Sequence, residues 1–345
     1  MKRKKIRNLL KIIVGTLLLS LLLAGCSAGN APVQPEPKPD PKTSGTVTVY
    51  TSVPQKLIDQ FKSQCEKKYP DIKINVYQAV TNDILAKLKA EKDAGAIGAD
   101  VVWVADTASA ELLKEQKYLA KYSSPEGSHI PASIKDQDGY YYGSRVINMV
   151  LAYNTANTKP PKSWNDLLDP QYKDKIGMPS VTSGTSYTFV GNLAANQNFG
   201  WAFFEKMKAN GGVQVKANND AVQKLASGEF TLTVVLDYMI KDMKDQGSPV
   251  DYVIPEEGAV MVVSPIALVE GGKNADGGKK FIDYVLSKEG QELLSKQNVV
   301  SVRSDITPPA EVPSIKDIKA FPSDNVYLTE GREEINTKFN NIFGK

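Results

Sequence analysis

The stretch TVTVYTSVPQKLIDQFKSQCEKKYPDIKINV, residues 46–76, changes its hydrophobic period twice. Thr46-Val47-Thr48-Val49-Tyr50 alternates apolar with polar, as a half-buried strand does, and Ile72, Ile74 and Val76 alternate again. Between them Leu57, Ile58, Phe61 and Cys65 recur at helical spacing. Pro54 stands at the opening of that helix, where a missing N–H is harmless, and Pro70 follows its end.

The same alternation continues outward. Thr81 or Asn82 is placed to cap a helix carrying Ile84, Leu85 and Leu88 and stopped at Gly95, and Asp100-Val101-Val102-Trp103-Val104 reads as a buried strand. The result is a β-α-β-α-β unit. A second set starts with the long apolar strand from Arg145 to Leu151. Lys175–Pro179 reads as a strand, Ser183–Ala195 as a helix, Val222 and Leu225 as a helical face closed by Gly228, and Phe230–Leu236 as a buried strand. Met261-Val262-Val263 supplies a return strand, and Phe281, Ile282, Val285 and Leu286 form a helical face in Lys279–Ser287. Roughly 300 residues exceed what one compact core usually serves. The expected fold is therefore α/β with two lobes, each a mixed sheet flanked by helices. Residues 46–147 begin the first lobe, 148–258 build the second, and 259–345 return to the first and add C-terminal helices.

Ahead of the folded part, Lys2, Arg3, Lys4, Lys5, Arg7 and Lys11 precede an apolar run from Ile12 to Ala24, which reads as a signal peptide over residues 1–25. The run ends in Leu23-Ala24-Gly25-Cys26, which resembles the lipobox of bacterial lipoproteins and implies acylation of Cys26. Residues 26–45 hold Pro32, Pro35, Pro37, Pro39 and Pro41 among polar residues and cannot bury a core, so they read as an extended tether.

The chain carries 42 Lys+Arg against 39 Asp+Glu; six of the basic residues fall in the first 25, which leaves 36 against 39. No basic stripe with interleaved aromatics is present, so nucleic acid is not an expected partner. Once Cys26 is acylated, Cys65 is the remaining cysteine, which excludes an internal disulfide, and its helical spacing places it in the core. A single histidine, His129, excludes a multi-histidine zinc site and leaves no convincing Ser-His-Asp triad. Apart from Gly25-Cys26-Ser27-Ala28-Gly29 at the end of the apolar leader, which is no strand-to-helix elbow, there is no Gly-x-Ser-x-Gly; there is no His-Glu-x-x-His and no convincing pair of catalytic carboxylates, so an enzyme is not expected.

Gly228-Glu229-Phe230 through Leu236-Asp237-Tyr238, then Gly247-Ser248-Pro249-Val250, Pro255-Glu256-Glu257-Gly258, and Phe281-Ile282-Asp283 with Ser287-Lys288-Glu289-Gly290-Gln291 resemble the type II periplasmic binding proteins, in the branch that takes ferric iron, thiamine, phosphonates and sugar phosphates. The resemblance runs from Val47 to about Leu294. It implies two lobes joined by two crossing strands, a ligand in the cleft between them, and an ABC importer permease as partner. With the lipobox, it implies a monomer without cofactor, held on the outer face of the cell membrane by its N-terminal lipid.

A cleft of this kind binds at strand C-termini and helix N-termini. Thr51 and Ser52, Asp106, and Thr182-Ser183-Gly184-Thr185-Ser186 satisfy that placement. The last group reads equally as a plain helix cap or as neutral donors around an anion, and the resemblance favours the anion. Arg145 is either a solvent-exposed strand end or a fork aimed at an anion; the resemblance favours the cleft. Asp237 and Tyr238 match the position where ferric-binding relatives carry tyrosine ligands, but Met239 and Val53 stand where a second tyrosine and a histidine are usual. The expected ligand is thus a small anionic solute bearing a phosphate or phosphonate, with Asp237 bonding its non-anionic part. Alternatives are ferric iron on Tyr238, and thiamine or its phosphates, which would call for a stacked aromatic. From other classes come a secreted hydrolase and a surface adhesin. Tyr140-Tyr141-Tyr142, Trp103, and Glu256 with Glu257 read better as a β segment, a core residue and a solvated loop.

Overall fold

The structure, a computed structural model, describes residues 45–344. The expected signal peptide, Cys26 and all of the tether but Gly45 lie outside the described residues.

The chain opens with strand β1 (Gly45–Thr51), helix α1 (Gln55–Lys68), β2 (Ile72–Gln78), α2 (Thr81–Asp93), β3 (Val101–Trp103), α3 (Thr107–Glu115) and the two-residue β4 (Leu119–Ala120). The long strand β5 (Tyr142–Asn154) follows, then β6 (Ile176–Pro179), α4 (Gly184–Ala195), α5 (Gly200–Ala209), β7 (Val213–Val215), α6 (Asn218–Ala226), β8 (Leu232–Leu236), α7 (Asp237–Asp245) and β9 (Val250–Val253). The return strand β10 (Val260–Val269) leads to α8 (Ala275–Leu286), α9 (Lys288–Ser295), α10 (Asn325–Glu330) and α11 (Arg332–Phe343).

The strands join in the order β2-β1-β3-β10-β5-β8-β6-β7, with β4 on β10 and β9 on β5. Pairing within β2-β1-β3 and within β8-β6-β7 is parallel, and the two groups meet through the antiparallel pair β10·β5. Residues 142–149 of β5 lie along β10, and its residues 149–153 along β8, so one strand serves both lobes. Every residue of β5 is buried. Its apolar residues therefore do not alternate with surface ones, and its polar residues Ser144, Arg145, Asn148 and Asn154 are buried with them.

Each lobe has its own aromatic centre. Trp103 of β3 meets Phe61 of α1 edge-on at 5.2 Å and Phe281 of α8 at 6.4 Å. Across the molecule, Trp164 packs edge-on against Phe189 of α4 at 4.9 Å, and Phe189 against Phe204 of α5 at 6.2 Å. Such pairs add to simple burial of area. Cys65 is fully buried on the apolar face of α1. The expected side-chain cap of α2 is not formed: the helix begins at Thr81 with Val80 as its cap residue, and the buried Thr81 hydroxyl has no hydrogen-bond partner among the described residues.

Candidate ligand-binding cleft

A cavity of about 180 Å³ lies where the two lobes face each other. Its walls come from the N-terminal turns of five helices: Gln55 of α1, Thr81 of α2, Thr185 of α4 with its cap residue Ser183, Asn218 of α6 and Tyr238 of α7. In α1, α2, α4 and α7 no side chain caps the first turn. Helix N-termini turn the positive end of the helix dipole towards the cavity, although the first-turn amides of Asn82 and Tyr238 are taken by the Thr182 carbonyl and the Asp237 carboxylate.

Arg145 enters from β5. The ladder between β5 and β10 shifts register between Ser264 and Pro265, so that Ser264 faces Arg145 while Pro265 faces Gly143. Pro265 has no N–H to give the ladder, and a bulge beside it re-aims the neighbouring side chain. Arg145 is 2 % exposed, and neither its Nε nor its Nη1 has a hydrogen-bond partner among the described residues. No carboxylate of the described residues pairs with it; its neighbours are the Trp103 ring, 5.9 Å from Cζ, and the Tyr238 phenol, which lies close without forming a hydrogen bond of ordinary geometry. Burial lowers its proton affinity, yet an arginine stays charged, so a lone cation is held inside the protein. Twelve buried side-chain polar atoms lack a partner among the described residues, and half belong to residues that line this cavity: Arg145 twice, Ser52, Thr81, Asn218 and Tyr238. Buried polar atoms are ordinarily paired, so their concentration here marks a site built for an external partner.

Of the residues singled out from sequence, Ser52, Arg145, Ser183, Thr185 and Tyr238 line the cavity. The other five sit behind it. Thr51 is fully buried and donates its hydroxyl to the Trp103 carbonyl at 3.0 Å. Asp106 caps α3, accepting from Ser109 N at 2.8 Å, and its carboxyl is raised above the usual range by burial, opposed by Arg332. Gly184 abuts Asp106, and Ser186 is buried with an unpartnered hydroxyl. Asp237 accepts from Asn148 Nδ2 at 2.6 Å and from the amides of Asn148 and Tyr238 at 3.2 and 2.8 Å; burial pushes its pKa up to about 6. Thr81, Gln55, Asn218, Asn219 and Met239 also line the cavity and were missed. Polar residues just before a helical apolar face, as in Ala217-Asn218-Asn219-Asp220 ahead of Val222, carried the same signal as Ser183 and Thr185.

The lining contains no carboxylate, lysine or histidine. Tyr238 is the one aromatic there, and burial raises its phenol above the ordinary value, which disfavours a phenolate. Tyr141 and Tyr142 are turned elsewhere, the first onto Glu111 and the second onto the Tyr122 carbonyl at 2.9 Å. Among the described residues no group of three or more His, Cys, Asp or Glu is placed to hold a metal.

Two α/β lobes with a polar cleft between them define a type II periplasmic binding-protein fold, and the solved structures agree. The periplasmic binding protein AfuA from Actinobacillus pleuropneumoniae, with exogenous fructose-6-phosphate bound, superposes with a TM-score of 0.80 over 87 % of this chain and 99 % of its own, at 23 % identity. Bacterial extracellular solute-binding proteins match residues 97–323, well over half of the chain, and the chain belongs to that family. It is 23 % identical to iron uptake protein A1 of Synechocystis over 83 % of this chain and 82 % of the relative. It is 29 % identical to a periplasmic protein of Salmonella typhi named for 2-aminoethylphosphonate binding, over 57 % of this chain and 60 % of the relative. The family consists of the substrate-binding components of ABC importers, which act outside the cytoplasm and deliver small ligands to a permease; they are not enzymes.

Proposed function

We propose that the chain is a lipid-anchored receptor that captures a small organic anion bearing a phosphate or phosphonate and passes it to its permease. The observation that carries this reading is Arg145: a buried guanidinium with two unpartnered nitrogens, facing a cavity rimmed by helix N-termini and free of opposing carboxylates. An oxyanion supplies the lone pairs these donors lack, and a guanidinium fork suits its planar pairs of oxygens. In this reading Ser52, Ser183, Thr185 and Tyr238 touch the anion, while Thr51, Asp106, Gly184, Ser186 and Asp237 hold the walls. Relatives named for 2-aminoethylphosphonate binding, and a related fold with fructose-6-phosphate bound, support the same chemistry. Cys26 would carry the lipid, and residues 26–45 would set the distance to the membrane.

Native mass spectrometry of untreated protein, followed by a thermal-shift screen of phosphate esters, phosphonates, thiamine phosphates and ferric salts, tests the reading. A ligand that binds the folded state raises stability as the logarithm of its concentration over Kd. Stabilisation by phosphorylated compounds, abolished in Thr185→Val, is the expected result. A visible charge-transfer band on adding ferric salt, with no response to phosphorylated compounds, would replace it with the iron reading that one relative's name suggests.

A further inference from the structure

The anion cavity does not end at its outer wall. A second chamber of about 420 Å³ adjoins it and shares Pro54, Gln55, Asn219, Tyr238 and Met239 with it. The chemistry changes across that shared wall. Inside are hydroxyls, amides and Arg145; outside are Leu57 of α1, Val222 of α6 and Met243 of α7, interspersed with the amides of Gln223 and Gln297. In the same lining, Lys56 of α1 faces Asp242 of α7 at 3.8 Å, with the lysine side chain 68 % and the aspartate 47 % exposed.

Resting on the anion reading above, we propose that the outer chamber is the seat of the ligand's organic part. The transported compound is then an organic phosphate or phosphonate with one anionic head and a tail of mixed apolar and hydrogen-bonding character that carries no negative charge of its own. Three observations lead there. An inorganic anion fills the inner cavity alone and leaves the apolar wall of Leu57, Val222 and Met243 wet, whereas a carbon chain removes that area from water. The amides of Gln55, Asn219 and Gln223 accept and donate without preferring a charge. Asp242 lines the chamber and is only loosely paired to Lys56, whose more exposed charge is the better screened by water, so a second anionic group on the tail meets repulsion while a neutral or cationic end does not. Methionines at two points of the wall let it adapt to tails of somewhat different shape.

The test compares methylphosphonate, which senses the inner cavity alone, with alkyl- and aminoalkylphosphonates of three to four carbons and with a carboxyalkylphosphonate, by calorimetry on the whole folded chain. The aminoalkyl and alkyl compounds should bind tighter than methylphosphonate by about tenfold or more, the effect of roughly two buried methylenes. The carboxyalkyl compound should lose that gain and recover it in Asp242→Asn. Met243→Trp, which fills only the outer chamber, should collapse the ratio between long and short compounds. Equal binding of all four compounds, with Met243→Trp and Asp242→Asn indifferent, overturns the tail assignment and leaves the anion site standing. Binding of none of them, by a protein shown to be folded by circular dichroism, overturns both.

Discussion

Arg332, at the start of α11, reaches across to the cap residue of α3: its Nη2 lies 3.4 Å from Asp106 Oδ1 and 2.8 Å from Ser109 Oγ, while Nη1 lies 3.3 Å from Asn82 Oδ1. The guanidinium also sits 4.3 Å from the centre of the Tyr187 ring of α4. One side chain thus holds residues of both lobes at once, beside the anion cavity. Nearby, the Asn82 amide donates to the Thr182 carbonyl at 3.3 Å, a second tie between α2 and the loop leading into α4. These contacts exist only while the lobes are together, so they bias the hinge towards closure.

Replacing the arginine should therefore open the molecule. Asp106 is almost wholly buried, and Arg332 is the positive charge that offsets its burial. Arg332→Met should destabilise the closed arrangement by about 1–3 kcal/mol, less than a fully buried pair because the arginine is partly exposed. Ligand affinity should fall by a similar factor, since closure draws on binding energy. Small-angle scattering of ligand-free protein reads the opening directly. An unchanged radius of gyration together with an unchanged Kd would show that the contact follows closure without favouring it.

Gly184 gives a steric route to the same question. A Cβ there would stand 2.1 Å from Asp106 Oδ2, 2.9 Å from Thr81 Oγ1 and 3.1 Å from Ala105 Cβ, all on the opposite wall of the cleft. Its own φ is not left-handed, so alanine suits the first turn of α4. Gly184→Ala is expected to keep its melting temperature in the absence of ligand while its affinity drops by about tenfold or more, because full closure is obstructed. A variant that binds as tightly as the wild type would mean that Asp106 yields at no cost.

Arg145 should trade stability for binding. An unpaired buried charge costs several kcal/mol, and replacing buried ionic groups with apolar side chains of similar size often stabilises. Arg145→Met is expected to raise the unfolding free energy of the ligand-free protein by about 1–3 kcal/mol and to abolish the thermal shift produced by phosphorylated ligands. Chemical denaturation with and without ligand separates the two effects. A variant that is less stable than wild type would assign Arg145 a packing role against Trp103 instead.

Much of the architecture was legible because it rests on local periodicity. β1, α1, β2 and α2 appear where residues 46–95 alternate and recur, and β5, α4 and β8 where the second set was read. The site was legible only to the depth of one rule, that polar residues stand between a strand and a helix. The rule found Ser52, Ser183 and Thr185, which line the cavity, but it also took in Thr51 and Asp106, whose polar atoms are consumed inside the protein by the Trp103 carbonyl and by Ser109. Spacing along a chain does not say which way a side chain turns once the strand has ended. Nor does it reveal contacts between distant segments: Arg332 meets Asp106 across 226 residues, and nothing in the sequence around either position announces the other.

Asp237 offers a prediction with a definite sign. Its carboxyl is raised from 3.8 to about 6 by burial, more than its hydrogen bonds from Asn148 and Tyr238 recover. The folded protein therefore holds this proton more tightly than the unfolded chain does. Relative to the protonated group, its contribution is unchanged below about pH 3.8, falls as pH rises through about 6, and at neutral pH is a cost of about 3 kcal/mol at most, from a shift of roughly two pKa units. Asp237→Asn removes the charge and keeps the shape. Its Oδ1 can still accept the two backbone amides, and its new Nδ2 can donate to Asn148 Oδ1, an atom without a partner in the wild type, once that amide turns over. The variant should match the wild type near pH 4 and exceed it by about 1–3 kcal/mol near pH 7, with the gap opening between pH 4 and 6. Urea denaturation across that range measures the gap. Two stability curves that stay parallel from pH 4 to 7 would show that Asp237 is ionised at little cost and that the amides around it suffice to hold the charge.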